Sequence, residues 1–298
     1  MSRFNTISFL SDFGTADEFV GVVHSVIRSI APEVTVIDIT HNIEPFDVRA
    51  GSLALARAAA YFVPGVVLGV VDPGVGTSRR PIIIEVGDGQ SYLVGPDNGL
   101  FAPIVSLVGG ATAAWRIDNQ DYLFESPGAT FDGRDVFAPV AAHLCGGIEP
   151  GKLGSPVEPA SLVPGILPVS EQGSDGTIEA DVFWVDRFGN VQLNVDPTQL
   201  DDWPSFVTIT TSSRDETVTR VDSYASLGAG LGLLVDSQGL MALVANSSSA
   251  AEELGLREGD RVTLSRAEHG PANSVATPVT LSQRPTVTNP NDVGVQPQ

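Results

Sequence analysis

The sequence predicts an α/β chain in two parts: an N-terminal α/β domain built on a parallel sheet, then a small C-terminal all-β domain closed as a barrel. Three observations predict it. Up to about residue 150, short β-branched runs alternate with amphipathic stretches of 12 to 15 residues, the pattern of strands joined by crossover helices. A passage rich in Pro, Gly and Ser over 151–176 interrupts that alternation and reads as a connection. Beyond it, short apolar runs separated by turn signals carry little helical periodicity.

The elements follow in order. TISFLSDFG reads as the first strand, EFVGVVHSVIRSIAP as an amphipathic helix and VTVIDIT as the second strand. VRAGSLALARAAAYF is a second helix, and GVVLGVVD a third strand that ends on Asp72. PIIIEV and SYLVGPDNGLF are further strands around turns, with PDNG supplying the turn residues. TFDGRDVFAPVAAHLCGG is a loop leading into a helix that buries the lone Cys145. IEADVFWVD, VQLNV, FVTITT, GLGLLVD, GLMALVAN and RVTLS are the strands of the second domain. The expected boundaries are 1–150, a connection over 151–176, a β-domain over 177–270, and a disordered Pro- and Thr-rich tail over 271–298. No internal repeat is found.

Composition narrows the function. The 298 residues are 42% hydrophobic and 17% charged, a globular balance with enough chain for about two domains. Lys plus Arg number 16 against 36 Asp plus Glu, a net charge of -20. Nucleic acids and anionic membranes are bound mainly through Lys and Arg, so neither is an expected partner. A single cysteine forms no internal disulfide, no signal-like N-terminus is present, and the expected location is the cytoplasm. His24, His41, His143 and His269 are the only histidines, and none is paired at metal-ligand spacing. The expectation is no metal and no cofactor.

Polar residues follow three predicted strands: Ser11-Asp12, Thr40-His41 and Asp72. Ligands of open α/β sheets bind beyond the C-terminal strand ends, so Asp12, His41 and Asp72 are candidates to converge. Asp12 suits a pair of vicinal hydroxyls, as on a ribose, while Asp17 or Thr15 equally suits capping the following helix. In VDPGVGTSRR the glycines and arginines suggest a phosphate loop, but the Lys-Ser/Thr is missing and Asp72 repels phosphate. Arg79 beside Asp72 makes either a structural ion pair or an oriented carboxylate for a polar small molecule. In TFDGRD, Asp135 reads as a helix cap with Arg134 as its partner, and Asp132 is left open. In VDRFGN, Asp186 and Asn190 read as turn residues or as an acid and an amide facing a ligand.

Taken together, SDFGTADEFVG, DITHNIEPFDVRAG, VVDPGVGTSRR, GPDNGLF, TFDGRDVFAPVAAHL, VDRFGNVQLN and SYASLGAGLGLLVDSQGLMALVAN resemble, in order, the motifs of the S-adenosylmethionine (SAM) hydrolases, or hydroxide adenosyltransferases. These are relatives of the fluorinase and chlorinase. The resemblance spans about residues 7–262. It implies an α/β domain and a β-barrel in a homotrimer, with sites between one subunit's N-terminal domain and a neighbour's C-terminal domain. The implied reaction is SAM plus water giving adenosine and L-methionine.

Carried over by position, the resemblance implies that Asp12 holds the ribose hydroxyls and that Phe46 packs on the nucleoside, where fluorinases carry tryptophan. Asn190 and the backbone near Asn246 would read the adenine, with Tyr224 lining its pocket. Asp186 would bind the methionine ammonium, assisted by Ser237 and Asp17. Fluorinases follow the matching serine with arginine, where this chain has Gln238. Asp72 would orient the attacking water and accept its proton, aimed by Arg79. Halide enzymes carry tyrosine at this position. A carboxylate about 4 Å from a halide costs on the order of 4 kcal/mol at an effective dielectric near 20, so Asp72 favours water. The hydrolases carry TFHGRD where this chain reads TFDGRD, which puts Asp132 in the place of the histidine, either to accept a proton there or to share one with a second acid, with His41 and His143 as the other candidates to replace it. The alternatives are a halide-using transferase and a SAM- or adenosine-binding protein with impaired chemistry.

Overall fold

The computed structural model describes residues 3–125, 128–165, 167–228 and 230–270. The tail expected to be disordered lies outside the described residues.

The first sheet has seven strands: β1 (Thr6–Ser11), β2 (Thr35–Thr40), β3 (Val66–Val70), β4 (Pro81–Val86), β5 (Ser91–Pro96), β6 (Ala111–Ile117) and β7 (Gly154–Val157). They lie in the order β2-β1-β3-β5-β4-β6-β7. β2, β1, β3 and β5 run parallel, as the alternating pattern predicts, and β4, β6 and β7 extend the sheet antiparallel. β1, β3 and β5 are buried almost throughout because both faces of the sheet are covered there, whereas the edge strand β2 is largely exposed. On one face α1 (Phe19–Ile30) and α4 (Ala138–Cys145) pack on Ile7, Phe9, Leu68 and Val94. On the other, α2 (Val48–Ala58) and α3 (Ala102–Leu107) cover Leu10, Val67, Ile82 and Leu93. β7 ends at Val157, so the first sheet draws its last strand from the passage read as a connection.

Local chemistry sets the helix ends. Asp47 caps α2, its Oδ1 accepting from the Ala50 N–H at 2.8 Å. No side chain caps α1, so neither Asp17 nor Thr15 has the capping role open to it. Asp135 is no cap either: it lies inside a π-helical turn (Gly133–Phe137) and pairs with Arg134. Cys145 is fully buried at the end of α4, and burial pushes its thiol up to about 12.

β1 leads through α1 to β2 on one side of it, and β2 leads through α2 to β3 on the other. That reversal opens a crevice at the C-terminal end of β1, where a doubly wound sheet binds its ligands. Nearby, Gly69 of β3 and Gly95 of β5 are obligatory. A Cβ on Gly95 would sit 2.1 Å from the Gly69 carbonyl oxygen, and one on Gly69 would sit 2.8 Å from the Phe101 ring.

The second sheet holds β8 (Glu171–Gln172), β9 (Ile178–Val185), β10 (Val191–Leu193), β11 (Phe206–Thr210), β12 (Asp215–Arg220), β13 (Leu231–Val235), β14 (Met241–Ala245) and β15 (Arg261–Arg266). Its order β10-β14-β13-β12-β11-β15-β9 closes on itself through β10 and β9, giving a seven-stranded barrel with β8 appended to β9. Closure removes the unpaired edges of so small a sheet. Val182, Val191, Val207, Ile209, Val218 and Leu264 fill the interior. The described residues also include α6 (Ala250–Leu254), capped by the Ser249 hydroxyl, and α5 (Pro150–Leu153). α2 docks on the barrel: Arg57 donates to Gln192 Oε1 at 2.6 Å and Arg49 to the Val182 carbonyl at 3.4 Å. Among the described residues no helix is long and apolar enough to cross a membrane.

Candidate active site

The crevice at the end of β1 is a cavity of about 250 Å³. Asp12 enters it from β1, Asp72 from β3, Phe46 from the loop after β2, and Asp132 from the loop before the π-helical turn. Strand ends separated by sixty residues of sequence are thus brought together by the sheet order. Phe13, Phe19 and Phe131 form the apolar side of the cavity, Phe131 meeting the other two edge to face at centroid distances of 5.6 and 5.0 Å, with Phe13 and Phe19 tilted at 5.8 Å. Phe13 and Phe131 adjoin Asp12 and Asp132, so the signal for them was present in the same motifs.

Arg79 organises the acids. Its Nε donates to Asp72 Oδ2 at 2.9 Å and to Oδ1 at 3.1 Å, and its Nη2 reaches Oδ2 at 2.5 Å. The same Nη2 also donates to Asp132 Oδ2. The guanidinium stacks over the Phe137 ring at 5.2 Å. Side-chain exposures of 6% for Asp72, 11% for Arg79 and 19% for Asp132 make Asp132 the more exposed of the two carboxylates that Arg79 holds. Burial opposes the charge on Arg79, yet its hydrogen bonds and charge pairing with the two aspartates outweigh it and raise its pKa. The Gly74 N–H adds a bond of 3.2 Å to Asp72 Oδ1.

Asp12 is different. Burial raises its pKa above the ordinary value, a backbone hydrogen bond from Phe46 at 2.9 Å works against this, and the charge of Asp72 adds to it. Oδ2 is the oxygen that bond engages, which leaves Oδ1 for a ligand. Phe46 carries a positive φ of 71° and is 70% exposed. A bulky residue in that conformation is strained, and its N–H to Asp12 holds it there.

His41 does not join the cavity. Its ring turns behind β1 to Ser11 and toward Asp38 and His24, while its carbonyl accepts from the Gly14 N–H at 2.7 Å. His143 packs edge-on against Tyr122 instead, and burial lowers its pKa. Neither lines the cavity beside Asp72. Asp17 is exposed on the approach to α1 and does not line the cavity.

The remaining candidates sit in the barrel. A cavity of about 960 Å³ is lined by Asp186, Asn190, Tyr224 and Ser237, together with Arg57 and Asp236. Asp186 accepts from the backbone of Phe188 and Asn190 at 2.8 and 2.9 Å, and from the Asn190 amide at 2.7 Å. The turn reading of this motif and the cavity reading therefore hold together. Burial raises the pKa of Tyr224, and the charges of Asp186 and Asp236 push it the same way. Asn246 is exposed beside the cavity, between Ala245 and Ser247, which line it, and its amide reaches the carbonyls of Leu227 and Gly228. Gln238 donates its backbone N–H to Asp236 at 2.8 Å. Arg57, Trp184, Gln192 and Asp236 were not singled out from the sequence. Trp184 and Gln192 are cross-strand neighbours in the barrel, Gln192 donates to Asp236, and Arg57 joins them only because α2 docks there.

The sequence matches the model of the SAM hydroxide adenosyltransferase N-terminal domain over residues 7–154 and that of the C-terminal domain over residues 180–263. The chain belongs to the SAM hydroxide adenosyltransferase family. A relative from Salinispora tropica named (R)-S-adenosyl-L-methionine hydrolase is 42% identical over 86% of this chain and 96% of its own. One from Thermus thermophilus with the same name is 39% identical over 87% of this chain and 98% of its own. A fluorinase from Actinoplanes sp. is 25% identical over 88% of this chain and 97% of its own. Among solved structures, an uncharacterized conserved protein from Thermotoga maritima superposes with a TM-score of 0.80 at 33% identity, covering 87% of this chain and all of that one. The family resemblance and the two-domain α/β and barrel architecture read from the sequence both stand.

Proposed function

We propose that this protein hydrolyses S-adenosyl-L-methionine to adenosine and L-methionine by attack of water on C5′. The observation that carries the reading is the pair of carboxylates, Asp72 and Asp132, held by one guanidinium in the crevice that also contains Asp12. The names of the most similar relatives support the same substrate.

The chemistry follows from the substrate. The sulfonium is an excellent leaving group, so the protein's task is to place water in line with the C5′–S bond. As the new C–O bond forms, the C5′–S pair returns to sulfur as the neutral thioether, and the water's proton passes to a carboxylate. Asp72 is fixed by Arg79 and orients that water; Asp132, more exposed and held on one side only, is placed to take the proton. Asp12 receives the ribose hydroxyls, which return to its carboxylate the hydrogen bonds that burial removed. The Phe46 ring covers the nucleoside. The step needs no metal or redox group, because the leaving group is already activated; SAM is substrate and no cofactor is required.

The barrel cavity supplies the other contacts. Asp186 and Asp236 suit the cationic amino-acid end of SAM, with Ser237 beside them and Asp17 acting at most from the rim. Asn190, Tyr224 and the backbone around Asn246 are placed for the adenine. The two cavities have no lining residue in common. We infer that a complete site joins the crevice of one chain to the barrel of another in a homotrimer. We place the enzyme in the cytoplasm, since a chain with a single cysteine, buried at Cys145, needs no oxidising compartment for its fold.

The test is to incubate purified protein with SAM in halide-free buffer and separate adenosine and methionine by chromatography, beside Asp72→Ala and Asp132→Ala. Equal amounts of adenosine and methionine, lost with Asp72, are expected. SAM recovered intact from the wild type would leave a binding protein, and turnover that depends on added halide would leave a halide transferase.

A further inference from the structure

Behind the crevice, on the α1 face of the sheet, His24, Asp38 and His41 meet. His24 Nε2 lies 2.8 Å from Asp38 Oδ1, and His41 Nε2 lies 3.1 Å from the same oxygen. One ligand atom from each falls within 4.8 Å of the others. We propose that these three side chains form a site for a divalent transition-metal ion of the zinc type, which ties α1 and β2 to the loop carrying Asp12.

His41 carries the argument. Its side chain is 5% exposed, and its Nε2 is buried without a hydrogen-bond partner, since the approach to Asp38 is close but misaligned. Its Nδ1 is 2.7 Å from Ser11 Oγ. If Nδ1 carries the proton and donates to Ser11, Nε2 turns a bare lone pair toward a carboxylate. If Nε2 carries it, the N–H finds no aligned acceptor. A buried polar atom left so costs free energy. A cation bound at Nε2 removes the conflict: it accepts the lone pair and is attracted by Asp38. The Nδ1–H to Ser11 bond is then the outer hydrogen bond that metal-bound imidazoles make.

The surrounding structure holds this geometry. Asp38 and His41 are three residues apart and would point to opposite faces of a regular strand. The pairing of β1 with β2 shifts register after Phe9–Asp38, passing to Leu10–Thr40, and the bulge brings the two side chains to one side. The buried Phe9 ring contacts both imidazoles, at centroid distances of 4.6 Å for His41 and 6.1 Å for His24. His24 and Asp38 are 36% and 41% exposed, which lets the two outer ligands adjust by a few tenths of an ångström and admits water as a further ligand. Two imidazoles and one carboxylate suit zinc rather than magnesium or calcium. The spacing of 14 residues between His24 and Asp38 matches no metal-binding motif, so only the packing of α1 on β2 exposes the site. Its place behind Ser11 and Gly14 makes it a structural site, separate from the chemistry proposed above.

The full chain, without an affinity tag and treated with chelator, is titrated with Zn2+ by calorimetry and with Co2+ by visible absorption, beside His41→Ala, His24→Gln and Asp38→Asn. One equivalent of Zn2+ per chain is expected, with a Co2+ d–d band and a rise in Tm on Zn2+ addition. His24→Gln, a change at a half-exposed side chain that leaves the fold intact, should weaken binding at least tenfold, and His41→Ala and Asp38→Asn should do the same. Absence of stoichiometric binding by the wild type overturns the site, as does binding undiminished in the folded His24→Gln and Asp38→Asn variants. None of these readings involves SAM, so failure here is distinct from failure of the hydrolase reading.

Discussion

Arg79 grips Asp72 through both Nε and Nη2, at 2.9 and 2.5 Å from one carboxylate oxygen, in a place where the Asp72 side chain is only 6% exposed. The same guanidinium neutralises Asp132. Removing it leaves two carboxylates facing each other in a poorly solvated crevice. Arg79→Met should therefore destabilise the protein by about 3 to 5 kcal/mol, the cost of breaking a buried ion pair from one side. Urea unfolding of wild type and variant measures it, and combining Arg79→Met with Asp72→Asn should recover part of the loss.

The proposed mechanism gives orientation of water to Asp72 and proton transfer to Asp132. Asp132→Asn leaves the Asp72–Arg79 pair intact but removes the more exposed acceptor, so kcat should fall about 10²-fold with KM little changed. Asp132→His, which installs the residue that TFHGRD-type loops carry, should turn over faster than Asp132→Asn. Steady-state kinetics on the two variants decides this.

Asp12 sets a pH dependence. Its pKa is raised from 3.8, chiefly by burial, so it keeps its proton to a higher pH than an ordinary carboxylate. In the proposed role of Asp12, protonation removes the acceptor for the ribose hydroxyls. Adenosine affinity should therefore fall as pH drops through the raised pKa. In the unliganded protein the sign is opposite. The unfolded chain releases this proton first, so the contribution of Asp12 to stability is full below 3.8 and is lost as pH rises through the raised value. Calorimetric titration of adenosine across mildly acidic pH, on wild type and Asp12→Asn, tests the first sign; the midpoint of thermal unfolding tests the second.

A site shared between chains predicts complementation. Asp72→Ala and Asp186→Ala damage different cavities of one chain. Each should be nearly inactive alone, and subunits mixed after dissociation and reassembly should regain activity in roughly a quarter of sites by random pairing. Activity of a mixture no greater than the sum of its parts would place both cavities of a working site in one chain.

Much of this was legible in the sequence, for a physical reason. Carboxylates that end apolar runs, such as Asp12 and Asp72, announce themselves because a buried strand tolerates them only at its end, and strand ends of a parallel sheet converge. Asp132 could be read from its motif. The strands with continuous apolar runs were readable too, whereas β6, with its small and mixed residues ATAAWRI, and β12, with DETVTR, were not. Nor was the antiparallel direction of β4, since PIIIEV reads the same either way. Contacts made by docking were the least readable. Arg57 meets Gln192 across 135 residues, and His24, Asp38 and His41 assemble through a bulge and a helix packing that no local pattern encodes. The strained Phe46 was visible as a residue but not as a conformation.

The attack of water on C5′ is tested most directly by the fate of oxygen during turnover of SAM in water enriched in 18O. Attack at C5′ by a water that Asp72 orients predicts adenosine carrying one 18O in its 5′-hydroxyl, methionine without label, and loss of the labelled product in Asp72→Ala. Label appearing in methionine, unlabelled adenosine, or labelled adenosine formed equally fast without Asp72 would contradict it.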